Sequence, residues 1–141
     1  FNIPKVLHHM QGTPKTMQKN PKYKNVLLDI YDFFEKKIDS VNDKMLILDP
    51  GIGFGKTLKH NLTLISKISL FHSLGLPILV GTSRKRFINQ ISGVYDSKER
   101  TGGTLASVIY LLSQGVQIFR VHNVKEVKQG ILVFKKILKN K

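Results

Sequence analysis

Apolar residues along this chain alternate between short continuous runs and longer stretches in which they recur every three or four positions. Ile3 to Met10 predicts a short strand, followed by the turn segment Gln11-Gly12-Thr13-Pro14. Val26, Leu27, Ile30, Phe33, Phe34 and Ile38 fall on one helical face that runs to about Ser40. Met45 to Asp49 predicts a buried strand. Beyond it, Asn61 is placed to cap a helix carrying Leu62, Ile65, Ile68 and Phe71, which Gly75 and Pro77 end. Ile78 to Gly81 predicts a third strand, and Phe87, Ile88 and Ile91 a short helix, with a polar loop from Ser92 to about Arg100. Leu105, Val108, Ile109 and Leu112 mark another helix stopped near Gly115, and Val116 to Val121 the last strand. Asn123 and Glu126 have the spacing of a helix cap and its reciprocal partner, opening a final helix that would bury Val127, Ile131, Phe134 and Leu138.

Strand and helix thus alternate to the end of the chain, which predicts an α/β fold with parallel strands joined by right-handed crossovers. In such sheets binding groups collect at the carboxyl ends of the strands. Every predicted strand ends in distinctive chemistry: His9 and Met10, then Asp49, then Ser83 to Lys85, then Arg120 with His122. One such ending would mean little, but together they predict a site. Adjacent His8 and His9 would face opposite sides of a strand, which makes them poor joint metal ligands.

At 141 residues and 41% hydrophobic composition the chain is one domain's worth, 1–141, with no uninterrupted apolar segment long enough to cross a bilayer. It opens on Phe1 and carries no signal peptide there, which suggests a processed chain or a piece of a longer one. Cysteine is absent, excluding disulfides, thiolate metal sites and cysteine nucleophiles. That fits a reducing compartment, and the cytoplasm is the expected location. The net charge of +14 favours anionic partners. The lysines, Lys15, Lys19, Lys22, Lys24, Lys36, Lys37, Lys135, Lys136 and Lys139 among them, are scattered over polar faces rather than interleaved with aromatics in one block. They read as a solvated surface, not as a nucleic-acid footprint.

The densest stretch is Leu46-Ile47-Leu48-Asp49-Pro50-Gly51-Ile52-Gly53-Phe54-Gly55-Lys56-Thr57, a buried strand delivering one carboxylate to a loop with glycines at alternate positions. Such glycines permit positive φ and close approach of backbone to a flat or phosphorylated ligand. Gly55-Lys56-Thr57 copies the end of a nucleotide phosphate loop, but that motif needs glycine where this chain has Pro50. A glycine-rich turn without a ligand is the bland alternative.

His9-Met10-Gln11-Gly12-Thr13-Pro14-Lys15-Thr16-Met17-Gln18, Asp49-Pro50-Gly51-Ile52-Gly53-Phe54-Gly55-Lys56, Gly81-Thr82-Ser83-Arg84-Lys85 and Arg120-Val121-His122 resemble, in order and spacing, successive motifs of the dihydropteroate synthase family. The resemblance runs through essentially the whole chain but covers the family's C-terminal half. It implies a partial (β/α)₈ TIM barrel, the last four βα units with parallel strands, where a whole barrel needs about 250 residues. The activity implied is the folate-pathway step joining 6-hydroxymethyl-7,8-dihydropterin diphosphate to p-aminobenzoate with release of pyrophosphate.

By that resemblance Met10, Asp49 and Lys85 would bind the pterin. A carboxylate suits the donor edge of the amino-pyrimidine and an ammonium suits acceptors. Arg120 and His122 would hold the diphosphate and act as the catalytic pair, since residues two apart on a strand face the same side and an arginine fork matches phosphate oxygens. Phe54, Ser83 and Arg84 would border the p-aminobenzoate pocket. Taken singly, Met10 reads equally as a core residue, Arg120 as a surface ion pair, His122 as a structural imidazole and Phe54 as loop packing. The mechanism implied is departure of pyrophosphate and capture of a pterin cation by the aromatic amine. Mg²⁺ is implied as cofactor, with its ligand in the missing N-terminal half and no metal ligand in this chain. A homodimer is expected of the complete enzyme.

Two residues depart from the family pattern. Asn123 stands where aspartate is usual, and His8 where an apolar residue is common. The chain alone is expected to be inactive and, with an open barrel edge, poorly stable or associated. A non-catalytic remnant and a basic nucleic-acid-binding module are the alternative readings. The pterin assignment requires that Asp49, Lys85 and Arg120 meet at one rim.

Overall fold

The computed structural model describes residues 3–41 and 45–140. The elements are β1 (Lys5–His8), α1 (Val26–Ser40), β2 (Leu46–Asp49), α2 (Leu58–Ser66), a 3₁₀ helix (Ile68–Leu74), β3 (Leu79–Val80), α3 (Arg86–Ser92), a 3₁₀ turn (Ser97–Glu99), α4 (Thr101–Ser113), β4 (Ile118–Phe119) and α5 (Val124–Leu138). β1 pairs with β2 and β3 with β4, both in parallel, in the registers His8↔Asp49 and Val80↔Phe119. A parallel bridge between Leu48 and Ile78 joins the two ladders. The fold is therefore α/β with parallel strands, as the alternating pattern requires.

The core lies between the strands and their helices. Ile30 and Phe34 of α1, Leu48 of β2, Leu64 of α2, Ile68 and Phe71 of the 3₁₀ helix, Ile78 just before β3, and Leu111 of α4 are all fully buried. Phe34 meets Phe71 edge to face with ring centroids 5.7 Å apart. Burial of each such side chain contributes on the order of 1.5–3 kcal/mol, which fixes the strands against the helices. Successive strand residues face opposite ways, so with Leu48 in the core the neighbouring Asp49 points to the other side of the sheet.

Several elements differ from the sequence reading, each for a physical reason. The strands are shorter than Ile3–Met10, Ile78–Gly81 and Val116–Val121, although ladder-like bonds continue past their ends, from His9 N to Asp49 O at 3.0 Å and from Arg120 N to Val80 O at 3.2 Å. β1 starts after Pro4, which has no N–H to give. α2 begins earlier than Asn61. Thr57 caps it, accepting from His60 N at 3.2 Å while His60 Nδ1 accepts from Thr57 N at 3.1 Å, and Asn61 is buried within the helix. Asn123 makes no side-chain cap bond to α5, because Arg84 holds its amide oxygen. α5 buries Val127 alone. Leu138 is exposed and Ile131 and Phe134 are half-buried, while Leu132, Val133 and Ile137 face outward.

Candidate functional site

Asp49 closes β2 and is 2% exposed. Its Oδ1 accepts from Gly51 N at 2.9 Å, and its Oδ2 lies 3.2 Å from His8 Nδ1 and 3.7 Å from Arg120 Nη2. Burial pushes the carboxyl up, but the His8 and Gly51 hydrogen bonds and the positive charges of His8 and Lys85 outweigh it and hold the group below its ordinary value. It is a carboxylate ringed by donors.

The loop after Asp49 must turn sharply beneath β1. Gly51, at φ +72°, passes so close that a Cβ there would lie 1.9 Å from His9 O, so no other residue fits. Four successive carbonyls of this loop are each held by a side chain. Ile52 O accepts from Lys85 Nζ, Gly53 O from Gln18 Nε2 at 3.2 Å, Phe54 O from Lys56 Nζ at 2.8 Å, and Gly55 O from Tyr23 OH at 2.7 Å. Gly53 N donates to the buried Asn61 Oδ1 at 2.8 Å. The loop is thus fastened to α2, to the segment before α1 and to the end of β3.

Lys85 Nζ also sits 4.6 Å from the Phe54 ring centroid, a cation–π contact. Its amine is pushed down to about 8 by burial and by Arg120, against the pull of Asp49. Beside it, Ser83 Oγ is 2.8 Å from His122 Nδ1 and accepts from His122 N at 3.1 Å, tying the β3 and β4 ends together. The hydroxyl has one proton and two lone pairs, so it can take the backbone N–H and still share a hydrogen bond with Nδ1, the direction of which follows the imidazole tautomer. Arg84 turns away. Its backbone has φ 60°, the one positive value among non-glycine residues described, with its N–H on Thr104 Oγ1 and its carbonyl on Arg100 Nη1 at 2.8 Å. Its guanidinium reaches Asn123 Oδ1 through Nε at 3.4 Å and Nη2 at 3.1 Å.

Two clefts share Phe54 and Lys85. One, of about 330 Å³, is lined also by Gly81, Ser83, Arg120 and His122. The other, of about 360 Å³, is lined by Met17, Gln18, Lys56, Asn61 and Arg86 among others. Of the residues singled out from sequence, Lys85, Arg120, His122, Ser83 and Phe54 line these clefts, while Asp49, buried 3.7 Å from Arg120 Nη2, lies behind them and lines neither. Met10, half-buried beyond β1, and Arg84, engaged with Asn123, line neither cleft. No sequence signal marks Lys56, Asn61, Tyr23 or Gln18 as structural partners of the loop. His8 and His9 do part company, one on Asp49 and the other against Lys56 and, edge to face at 4.9 Å, Phe33. Lys56 turns inward and Thr57 caps α2, so Gly55-Lys56-Thr57 forms no phosphate cradle.

Among the described residues no group of three or more His, Cys, Asp or Glu side chains could hold a metal ion, and no helix is long and apolar enough to cross a membrane. The sequence profile of the family described as pterin binding enzyme matches residues 1–122. The chain is 42% identical over 99% of its length to the dihydropteroate synthase of Escherichia coli, of which it covers 51%. Its fold is similar, with a TM-score of 0.93 and 39% identity, to the Yersinia pestis dihydropteroate synthase solved with a sulfonamide drug complex, over 99% of this chain and 53% of that one. The Thermus thermophilus dihydropteroate synthase, solved in complex with 6HMPPP, matches with a TM-score of 0.91 and 35% identity over 97% of this chain and 56% of that one. The same enzyme in complex with 4-aminobenzoate gives a TM-score of 0.91, with 58% of it covered. The chain spans about half the length of the curated relatives it matches.

Proposed function

The chain belongs to the pterin-binding enzyme family, and on that footing we propose that it supplies the C-terminal half of a dihydropteroate synthase, the last four units of a (β/α)₈ barrel. The reaction is condensation of 6-hydroxymethyl-7,8-dihydropterin diphosphate with p-aminobenzoate to 7,8-dihydropteroate and pyrophosphate. The observation that carries this is the pair of clefts meeting at Phe54 and Lys85, one carrying the anion-binding side chains Arg120 and His122 beside the Asp49 carboxylate. A two-substrate reaction needs two such compartments with a common wall.

In this reading Asp49 accepts hydrogen bonds from the amino-pyrimidine edge and Lys85 donates to the ring system, with Met10 packing nearby. The Arg120 side chain is 62% exposed, so its 3.7 Å approach to Asp49 is worth at most about 1 kcal/mol and leaves the guanidinium available to a diphosphate. His122, positioned by Ser83, offers Nε2–H to the same anion. As the carbon–oxygen bond at the pterin methylene breaks, its electron pair leaves with pyrophosphate, and these two donors meet the growing charge. The amine nitrogen then bonds to that carbon and loses its proton to solvent. Phe54, the wall common to both clefts, and Ser83, on the side of the first, border the aminobenzoate, whose carboxylate reaches Arg86 in the second cleft. Arg84 acts from outside, by fixing the turn between Ser83 and Lys85.

The magnesium ion implied by the family is proposed to take its protein ligands from the half of the barrel outside this chain, since Asp49, the carboxylate of this rim, is already surrounded by cationic donors. No step here runs through it. The complete enzyme is proposed as a cytoplasmic homodimer. Calorimetry of the chain with the pterin diphosphate, beside Asp49→Ala and Lys85→Ala, tests the assignment. Heat in the parent and its loss in both variants is expected. Heat unaffected by the substitutions would refute the site, and none in any of the three would favour a non-catalytic remnant. Salt-sensitive retention on DNA indifferent to pterin would favour a nucleic-acid module.

A further inference from the structure

Lys56 is 3% exposed, yet the proposed reaction gives it no task. Burying an ammonium costs several kcal/mol unless acceptors surround it, so its neighbours define what it does. Its Nζ is 2.8 Å from Phe54 O and 3.0 Å from His9 Nδ1, which joins the loop carrying the shared aromatic wall to the end of β1. Its own backbone N–H donates to Gln18 Oε1 at 3.2 Å, and its stem lines the second cleft. We propose that Lys56 is a positioning residue: its buried amine fixes the carbonyl, and thereby the ring, of Phe54 between the two clefts. The consequence for catalysis rests on the function proposed above, while the contact itself does not.

The groups around the amine decide its protonation. Asp49 at the end of β2 pulls it up, Lys85 beyond β3 pushes it down, and burial pushes hardest, to about 7. His9, facing it from the end of β1, is driven down to about 3 by burial, Lys56 and His8, so it is a neutral acceptor whose proton sits on Nε2. His60 of α2 is also held below its ordinary value by burial, then by Lys56 and Lys59. Phe54 itself is faced by Lys85 over its ring and by His8 edge to face at 4.6 Å. Near neutrality the bond to Phe54 O therefore alternates between a charge-assisted donor and a weaker neutral one.

The carbonyl carbon of Phe54, followed by NMR in the isotopically labelled full chain from about pH 5 to about pH 9, reads that bond directly. The expected result is a sigmoidal shift with midpoint about 7 that persists in His8→Gln and is lost in both Lys56→Met and Lys56→Arg. A Phe54 carbonyl carbon whose shift is the same in the parent chain and in Lys56→Met at every pH overturns the proposal, as does a step near pH 7, distinct from that of Lys85 near 8, that survives this substitution. Added p-aminobenzoate and inorganic pyrophosphate separate this from the wider reading. Where both bind, Lys56→Met should weaken p-aminobenzoate and pyrophosphate each about tenfold, because Phe54 walls both clefts, and unchanged affinity for the two would overturn a role through Phe54. Failure of either ligand to shift any resonance would count against the proposed function, and the Phe54 titration would then decide the role of Lys56 by itself.

Discussion

Replacing Arg100 with alanine should cost about 3–5 kcal/mol of stability, from a stripped carbonyl and the lost packing of the stem. The side chain is 9% exposed and makes no ion pair among those described. Its fork is spent on three carbonyls, Val94 O from Nε at 3.0 Å, Arg84 O from Nη1 at 2.8 Å and Tyr95 O from Nη2. A buried acceptor stripped of its donor costs about 1–3 kcal/mol. Tyr95 is 88% exposed, so water can reach its end of the loop, and the full penalty falls on Arg84 O. The left-handed backbone of Arg84 adds nothing to the cost, because its strain is already present in the folded parent. The remainder is the packing of the arginine stem. At this chain length the sum corresponds to a fall in Tm of roughly 10–15 °C, measurable by thermal unfolding followed by circular dichroism. Arg100→Lys keeps a charge but offers one donor head in place of a planar fork, and should lose about half as much. A drop below about 3 °C for the alanine variant, or a lysine variant as stable as the parent, would refute the reasoning from the three carbonyls.

Other outcomes follow from the same geometry. Gly51→Ala places a methyl 1.9 Å from His9 O at a φ of +72° and should destabilise by more than about 3 kcal/mol in urea titration. His9 is buried neutral, its folded value of about 3 lying below the ordinary 6.5, so the unfolded chain binds the extra proton in between. Stability should therefore fall as pH drops from about 6.5 toward about 3, and His9→Phe should flatten that slope. Lys56 has the same sign at higher pH: stability should rise from about 7 up to the unfolded lysine value of 10.5, and Lys56→Met should remove the part below about 8, leaving the rise that belongs to Lys85. The outward Leu132, Val133 and Ile137 of α5 should drive self-association, so Leu132→Glu with Ile137→Glu should raise the monomer fraction in sedimentation without lowering Tm.

The residues at strand ends are legible in the sequence because strand alternation and polar termini are local signals, and Asp49, Lys85, Arg120 and His122 stand where that pattern places them. What escapes is the set of groups whose role depends on a distant partner. Arg100 and Lys56 bind carbonyls, which every residue has, so no spacing marks them. The Thr57 cap closes with histidine in place of the usual glutamate or glutamine, whereas Asn123 and Glu126 obey the spacing rule and fail because Arg84 captures the asparagine. The final helix reads as amphipathic only while one stripe is counted; its second apolar stripe, through Leu132, Val133 and Ile137, faces solvent.

The two ladders carry different parts of the rim, the carboxylate on one and the guanidinium on the other, with the Leu48–Ile78 bridge as the seam between them. Any shear along that seam changes the spacing of the two charges while each ribbon stays internally intact. A spin label on each ribbon would accordingly register the grip on a bound molecule as a distance across the seam, which the Lys85 bond to Ile52 O and the Leu48 N bond to Pro77 O both hold closed.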